Sequence, residues 1–366
     1  MSKGVLALLG SGETAPGMTK IHRQLLKRLI EVRAVNLDSA YGFQENVPQM
    51  TEKLLDYFST SLHTQVEPLH FTSYDRSSEL ERTIFKQQVR GATYVFAGPG
   101  SPSYALAQWR PLELGSDLRH VLDAGGTLCF SSAATATVGA YCAPIYEIYK
   151  VGAAPYWIDG LNLMAAFGLN CVVIPHYDNR EGRDYDTSRC YLGERRLALM
   201  ERELPPGVAT LGVDEHTALV LDLEHETLSV LGKSHGYWRL GGTVRVLENG
   251  SSTPLGELQT IEAEPPADVP DAGVPANRPR DLAQCVLDGG PDAVEALAQL
   301  VQMSVSGGEG FIDPTPLVDG VLAARVTARA SGQYELADEL RDSLVNAGID
   351  VRDTPDGTTW SLRADA

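Results

Sequence analysis

Leu128-Cys129-Phe130-Ser131-Ser132-Ala133-Ala134-Thr135-Ala136 joins an apolar run to small residues that favour a helix. A short apolar run bounded by a turn reads as a buried strand. Strand, sharp turn and helix in succession are the layout of a nucleophile elbow. The side chain at such a turn stands above the sheet, and the next N–H, that of Ala133, can point at a developing oxyanion. Phe130 and Ala134 stand where the usual elbow carries glycine.

Outward from this segment, strand and helix signals alternate. Residues 5–9, 33–37, 65–71, 93–97 and 127–131 read as strands. Residues 19–32, 50–62, 78–89 and 118–124 carry apolar side chains at helical spacing. Mostly apolar strands alternating with helices predict a doubly wound, mostly parallel α/β sheet covered on both faces. Ligands of such sheets bind at the carboxyl ends of the strands. Those ends fall at 10–13, 98–103 and 131–134, all rich in small or polar residues. The run 5–9 is short and leads into Gly10-Ser11-Gly12-Glu13, so it reads as a strand and not as a signal-peptide core. From residue 208 the pattern turns to β. Runs at 210–213, 218–223, 228–231 and 243–247 read as antiparallel strands finishing the same domain, over 1–248.

Residues 249–280 hold Pro254, Pro265, Pro266, Pro270, Pro275 and Pro279 among small and acidic residues, the composition of a linker. A separate small domain is expected over 281–366. It would have helices at 293–303, 317–330 and 334–345, the last capped by Gly348, and a hairpin around Pro355-Asp356-Gly357. A chain of 366 residues fits two domains. With 48 acidic against 30 basic residues, the formal charge of −18 argues against broad binding to a phosphate backbone and suits a cationic substrate. No apolar run reaches the ~20 residues of a membrane helix. Five cysteines at 129, 142, 171, 190 and 285 lack close pairing, which points away from a disulfide scaffold and toward a reducing, cytoplasmic setting.

A serine nucleophile needs a base, and the base needs an orienting acid. His176 follows the apolar run 172–174, and Asp214 and Glu215 lie between two β-type runs. Serine, histidine and acid thus each occupy a strand end, in that order. A second oxyanion donor is available from Gly98 or Gly100, because Pro99 has no N–H. The loop has neither the lysine nor the spacing of a phosphate-binding loop. The charged stretch 178–189 offers Arg180, Arg183 and Arg189 for a substrate carboxylate and Asp178 and Glu181 for an amine or guanidinium. Glu13, at the first strand end, reaches the same crevice. His176 and Asp178 with nearby acids lack a diagnostic metal spacing, so neither a metal nor a cofactor is expected.

Gly10-Ser11-Gly12-Glu13, the 98–104 loop, the Ser132 segment, His176 and Asp214-Glu215-His216-Thr217-Ala218 occur in the order found in the serine peptidases of the dipeptidase E and cyanophycinase family. The chain resembles that family over about 4–240. The resemblance implies the class I glutamine amidotransferase-like fold, Ser132 as nucleophile, His176 as base and Glu215 as third member. It also implies oxyanion donors at Gly100 and Ala133. Ser101, in the same loop, is expected to bind substrate. Glutamine amidotransferases themselves carry cysteine at the nucleophile position, so Ser132 points away from glutaminase chemistry. The expected substrate is a small peptide or isopeptide. The alternatives are a non-catalytic binding protein with a degenerate crevice, in which Phe130 crowds the elbow, and a tRNA- or synthetase-associated module.

The last alternative comes from the C-terminus. Tyr334-Glu335-Leu336-Ala337-Asp338-Glu339-Leu340-Arg341-Asp342, Ala347-Gly348-Ile349-Asp350-Val351 and Asp353-Thr354-Pro355-Asp356-Gly357-Thr358-Thr359-Trp360 resemble the C-terminal end of cysteinyl-tRNA synthetases, over about 317–363. In those enzymes this end belongs to the tRNA-binding part. Here 281–366 holds five Arg, no Lys and fifteen Asp or Glu, a formal −10. Nucleic-acid modules usually carry a basic stripe. Contact with another protein, or with a second copy of the chain, is therefore the expected role, and nucleic acid is not an expected partner.

Overall fold

The structure is a computed structural model that describes residues 3–182, 185–259, 318, 321–322, 325–326, 329, 334–346, 349–354 and 357–362. The chain divides into two units, Met1–Ala267 and Asp268–Ala366.

The first unit is built on an eight-stranded sheet. Five strands are parallel: β1 (Val5–Leu9), β2 (Ala34–Leu37), β3 (Val66–Leu69), β4 (Tyr94–Ala97) and β5 (Thr127–Ser131). They lie in the order β1-β5-β4-β2-β3. Alternate residues of these strands face opposite sides. Val5, Ala7, Leu9, Tyr94, Phe96 and Cys129 pack on α1 (Pro16–Lys27) and α2 (Val47–Ser61). Leu6, Leu8, Val95, Leu128 and Phe130 pack on α3 (Glu79–Gly91), α4 (Pro102–Trp109) and α5 (Leu114–Asp123). Helices cover both faces, as the apolar strands require.

Local signals set the helix ends. Ser78 and Glu81 form a reciprocal capping box before α3. Ser101 caps α4, accepting the Tyr104 N–H, with Pro102 in the first turn. The expected helix 19–32 ends at Lys27, and Ile30, whose spacing suggested a longer helix, lies fully in solvent.

The β-rich stretch departs from a single sheet. After α6 (Ala133–Ala136) and two short strands, β6 (Tyr141–Cys142) and β7 (Ile158–Asp159), come β8 (Cys171–Ile174), α7 (Gly193–Glu203), β9 (Ala209–Val213), β10 (Thr217–Asp222), β11 (Thr227–Gly232), β12 (Gly236–Leu240) and β13 (Thr243–Leu247). β10 and β11 extend the large sheet, β10 antiparallel to β1 and β11 antiparallel to β10. β8, β9, β12 and β13 form a second sheet in the order β13-β12-β9-β8. Within it β8 and β9 are parallel. The turn 214–216 between β9 and β10 crosses from the small sheet to the large one. The sequence also starts the linker too early. Ser252–Pro254 is β14, paired with β11 at the sheet edge, and Leu255–Gln259 is α8, with Leu255 and Leu258 buried. Pro254 is tolerated there because an edge strand has a side that needs no ladder hydrogen bond. The rest of the expected linker lies outside the described residues.

In the second unit, α9 (Tyr334–Asn346) precedes the hairpin of β15 (Ile349–Thr354) and β16 (Gly357–Leu362). Ala337, Leu344, Ile349 and Val351 are buried. Residues 318, 321, 322, 325, 326 and 329 are helical, with Val318, Val321 and Leu322 buried. The expected helix 293–303, Gly348 and the turn residues Pro355 and Asp356 lie outside the described residues.

Candidate active site

Ser132 follows β5 directly, between the ends of β1 and β4. It takes φ 52° and ψ −116°. A non-glycine residue pays strain for that conformation, and it is held only when its surroundings over-determine it. Here they do. The Ser132 N–H donates to the Leu9 carbonyl at 3.0 Å. The Thr135 hydroxyl spans the turn, within hydrogen-bond distance of both the Leu9 and Phe130 carbonyls (2.9 and 2.8 Å). Phe130 does not crowd the elbow. Its ring turns into the core on the α4–α5 face, is fully buried and lies 6.2 Å from the Trp109 ring. Ala134 is also fully buried.

His176 and Glu215 come from the second sheet. β8 and β9 run parallel with Ile174 opposite Gly212, so the segments just beyond them lie side by side. His176 stands two residues past β8 and Glu215 two residues past β9. The Tyr177 N–H donates to the Val213 carbonyl at 3.0 Å and ties the two ends together. The imidazole Nε2 lies 2.8 Å from the Ser132 hydroxyl oxygen. Its Nδ1 lies 2.7 Å from Glu215 Oε1. With the carboxylate accepting, the ring proton sits on Nδ1, which leaves Nε2 as the acceptor for the serine proton. The hydrogen bond from His176, more than any other contact, holds the Glu215 carboxyl below the usual carboxylate range.

Two residues fix Glu215. The Asn179 side-chain amide donates to the same Oε1 at 3.1 Å, and Asp178 Oδ1 accepts the Glu215 backbone N–H at 2.7 Å. Asp178, expected at the substrate, thus holds the acid's main chain. The neighbouring Asp214 is buried and accepts from the Ser234 hydroxyl, the His235 N–H and the Tyr237 hydroxyl. It buttresses the loop and does not face the imidazole's partner atoms. Burial raises its pKa.

Gly100 closes the opposite side. It has φ +148°, and a Cβ there would lie 2.0 Å from the Ala40 carbonyl oxygen, so only glycine fits. Ala133 opens α6, so its N–H has no acceptor within the helix. Ser101, expected to bind substrate, is buried. Its hydroxyl caps α4 and meets Ser103 Oγ at 2.9 Å, and Ser103 donates to Glu147. Arg189 also has another task. It pairs with Glu194, donates to the Tyr177 carbonyl and stacks 4.0 Å from the Tyr177 ring centre. Arg180 is exposed and, with Asp178, Asn179, Tyr185, Asp186 and Tyr237, lines a pocket of about 420 Å³. Arg183 lies outside the described residues. Glu13 accepts a hydrogen bond from the Ser131 hydroxyl at 2.9 Å.

No sequence signal marks Asn179, because its contact with Glu215 depends on the β8–β9 register. No thiol offers an alternative nucleophile among the described residues: Cys129, Cys142, Cys171 and Cys190 are buried and free, and burial pushes the thiols of Cys129 and Cys190 up to about 12. Among the described residues no group of three or more His, Cys, Asp or Glu is arranged to hold a metal ion, and no helix is long and apolar enough to cross a membrane.

The large sheet and the contacts that run from Ser132 through His176 to Glu215 define an α/β protein with a serine, a histidine and an acid joined at its strand ends. Over 69% of this chain and 97% of its own, a peptidase from an acI-B1 Actinobacterium shares this architecture with a TM-score of 0.56 at 20% identity. That likeness shows the fold alone, which this chain shares with a peptidase. The C-terminus is similar to other proteins. Residues 313–360 match the cysteinyl-tRNA ligase anticodon binding domain. Over 73 residues, 19% of this chain and 14% of that protein, the identity to the cysteine–tRNA ligase of Salinibacter ruber is 42%. Over 49 residues, 13% of this chain and 10% of that protein, the identity to the cysteine–tRNA ligase of Pseudarthrobacter chlorophenolicus is 51%. The chain thus spans only 10–14% of the length of these curated relatives.

Proposed function

We propose that the first unit is a serine hydrolase cleaving a small peptide or isopeptide amide through Ser132, His176 and Glu215. The observation that carries this reading is the continuous chain Ser132 Oγ, His176 Nε2, His176 Nδ1, Glu215 Oε1, with contacts of 2.8 and 2.7 Å. Ser132 attacks the carbonyl carbon while His176 takes its proton, and Glu215 stabilises the imidazolium that forms. The N–H groups of Gly100 and Ala133 receive the oxyanion, worth about 3–4 kcal/mol per donor in comparable sites. His176 then returns the proton to the leaving amine, and water resolves the acyl-enzyme by the same steps. No metal or cofactor takes part. Four buried free thiols suit a reducing, cytoplasmic setting.

The test is hydrolysis of a set of dipeptides and isopeptides, followed by release of free amine. We expect turnover by the wild type and none by Ser132→Ala. Equal turnover by both would remove the mechanism.

The similarity of 313–360 to an anticodon-binding domain supports a second reading, in which the C-terminal unit brings the hydrolase to tRNA. The formal charge of −10 over 281–366 favours docking to a protein or to a second copy of this chain. A tRNA titration of the full chain at low salt separates the two, since phosphate contacts strengthen as salt falls. Absence of binding there dismisses the RNA role.

A further inference from the structure

Glu13 is held at two points, its main chain and its side chain. Its carbonyl accepts from His22 Nε2 at 2.9 Å. His22 Nδ1 lies 2.9 Å from the Tyr94 hydroxyl. A carbonyl can only accept, so Nε2 carries the ring proton and Nδ1 accepts from Tyr94. Burial lowers the His22 pKa to about 4, so the ring stays neutral near pH 7 and the arrangement does not titrate away. The second point is the Glu13 side chain, whose Oε2 accepts from the hydroxyl of Ser131, the residue before Ser132. The other carboxylate oxygen, Oε1, has no hydrogen-bond partner among the described residues, and the side chain is half-exposed.

A buried histidine thus holds the main chain of Glu13, and the serine that precedes Ser132 holds its carboxylate, with one oxygen left to bind. The loop has little room to move. A Cβ on Gly10 would lie 2.0 Å from the Asp214 carbonyl oxygen, and one on Gly12 2.2 Å from His216 Nδ1. Building on the hydrolase reading, we propose that Glu13 is the specificity-determining acceptor for a cationic group of the substrate, an ammonium or guanidinium within about one residue of the scissile bond. The chain's formal charge of −18 adds a long-range field of the matching sign.

The test needs no natural substrate. Three diphenyl phosphonates serve as probes: an α-aminoalkyl phosphonate with a free ammonium, its N-acetyl counterpart, and an N-acetyl phosphonate with a guanidinoalkyl side chain. In each, the Ser132 oxygen bonds to phosphorus, one phenoxide leaves, and the serine proton passes through His176 to the phenoxide. The readout is the ratio of labelling rates, cationic over neutral. We expect a ratio of about ten for at least one cationic probe, as a charge-assisted pair provides. It should fall toward one in Glu13→Gln and partway in Ser131→Ala, which leaves the carboxylate unanchored. Preference for the free ammonium identifies the main-chain amine as the source, and preference for the guanidino probe identifies the side chain. In the wild type the ratio should also shrink as salt is raised from low to high, since the site is partly exposed. That arm stands even if a variant misfolds. A ratio near one in the wild type, or one unchanged in Glu13→Gln, overturns the proposal while labelling itself upholds the hydrolase reading. Absence of labelling by all three probes overturns both.

Discussion

The two sheets of the first unit hold their parts of the site by different means. The large sheet holds Ser132 mostly with its main chain, a positive φ and the bond to Leu9, closed by one side chain, the Thr135 hydroxyl. The small sheet holds His176 and Glu215 mainly with side chains, through Asn179 and Asp178. Main-chain geometry at the elbow survives most side-chain changes, whereas the imidazole and its acid depend on contacts that a single substitution removes. The position of Ser132 therefore follows from topology, and the alignment of His176 from a few polar groups.

This contrast can be broken most severely at the elbow itself. Ser132→Ala should lower hydrolysis about 10⁶-fold with little change in stability, read by steady-state turnover and urea unfolding. Ser132→Gly should be equally inactive yet neutral to about 1 kcal/mol more stable, because glycine relieves the positive φ. Next comes the packing under the elbow. Phe130→Ala should cost about 3–5 kcal/mol in urea unfolding, the range for emptying a buried aromatic site. A cost below 1 kcal/mol would contradict its placement in the core.

On the small-sheet side, Glu215→Gln should reduce turnover about 10⁴-fold and leave the Ser132 turn intact, since the imidazole keeps its place but takes the wrong tautomer. The pH dependence follows from the lowered Glu215 pKa. In the folded state this carboxyl binds its proton at lower pH than in the unfolded chain. Its contribution to stability is thus fully present above the ordinary carboxylate value of about 4.3 and is lost as pH falls through the folded value. The gap in urea midpoint between wild type and Glu215→Gln should therefore narrow between pH 7 and pH 3. A gap that widens on acidification has the wrong sign. The smallest effect belongs to Asn179→Ala, about three- to tenfold in turnover, because the His176 bond to Glu215 remains.

The same contrast explains what could be read in advance. Ser132, His176 and Glu215 each stand one or two residues past an apolar strand, so their order and their shared edge were legible from hydrophobic runs alone. The second sheet was not. β12 mixes Gly236 and Arg239 with Trp238, and its membership depends on pairing with β9 across 23 or more residues. The side to which Phe130 turns was also hidden, because a strand buried on both faces carries no alternation to read. Ser101 and Arg189 were read as substrate contacts from residue type. Only coordinates show that one caps a helix and the other pairs with Glu194. Pro254 suggested a linker, yet at an edge it fits a strand.

The central claim is that strand ends from two sheets meet to make one serine reactive. A general fluorophosphonate probe with peptide mapping tests it most directly. The expected result is a single adduct on Ser132 that disappears in His176→Ala. A chain that stays unmodified, an adduct on a different serine, or labelling undiminished without the imidazole would contradict it.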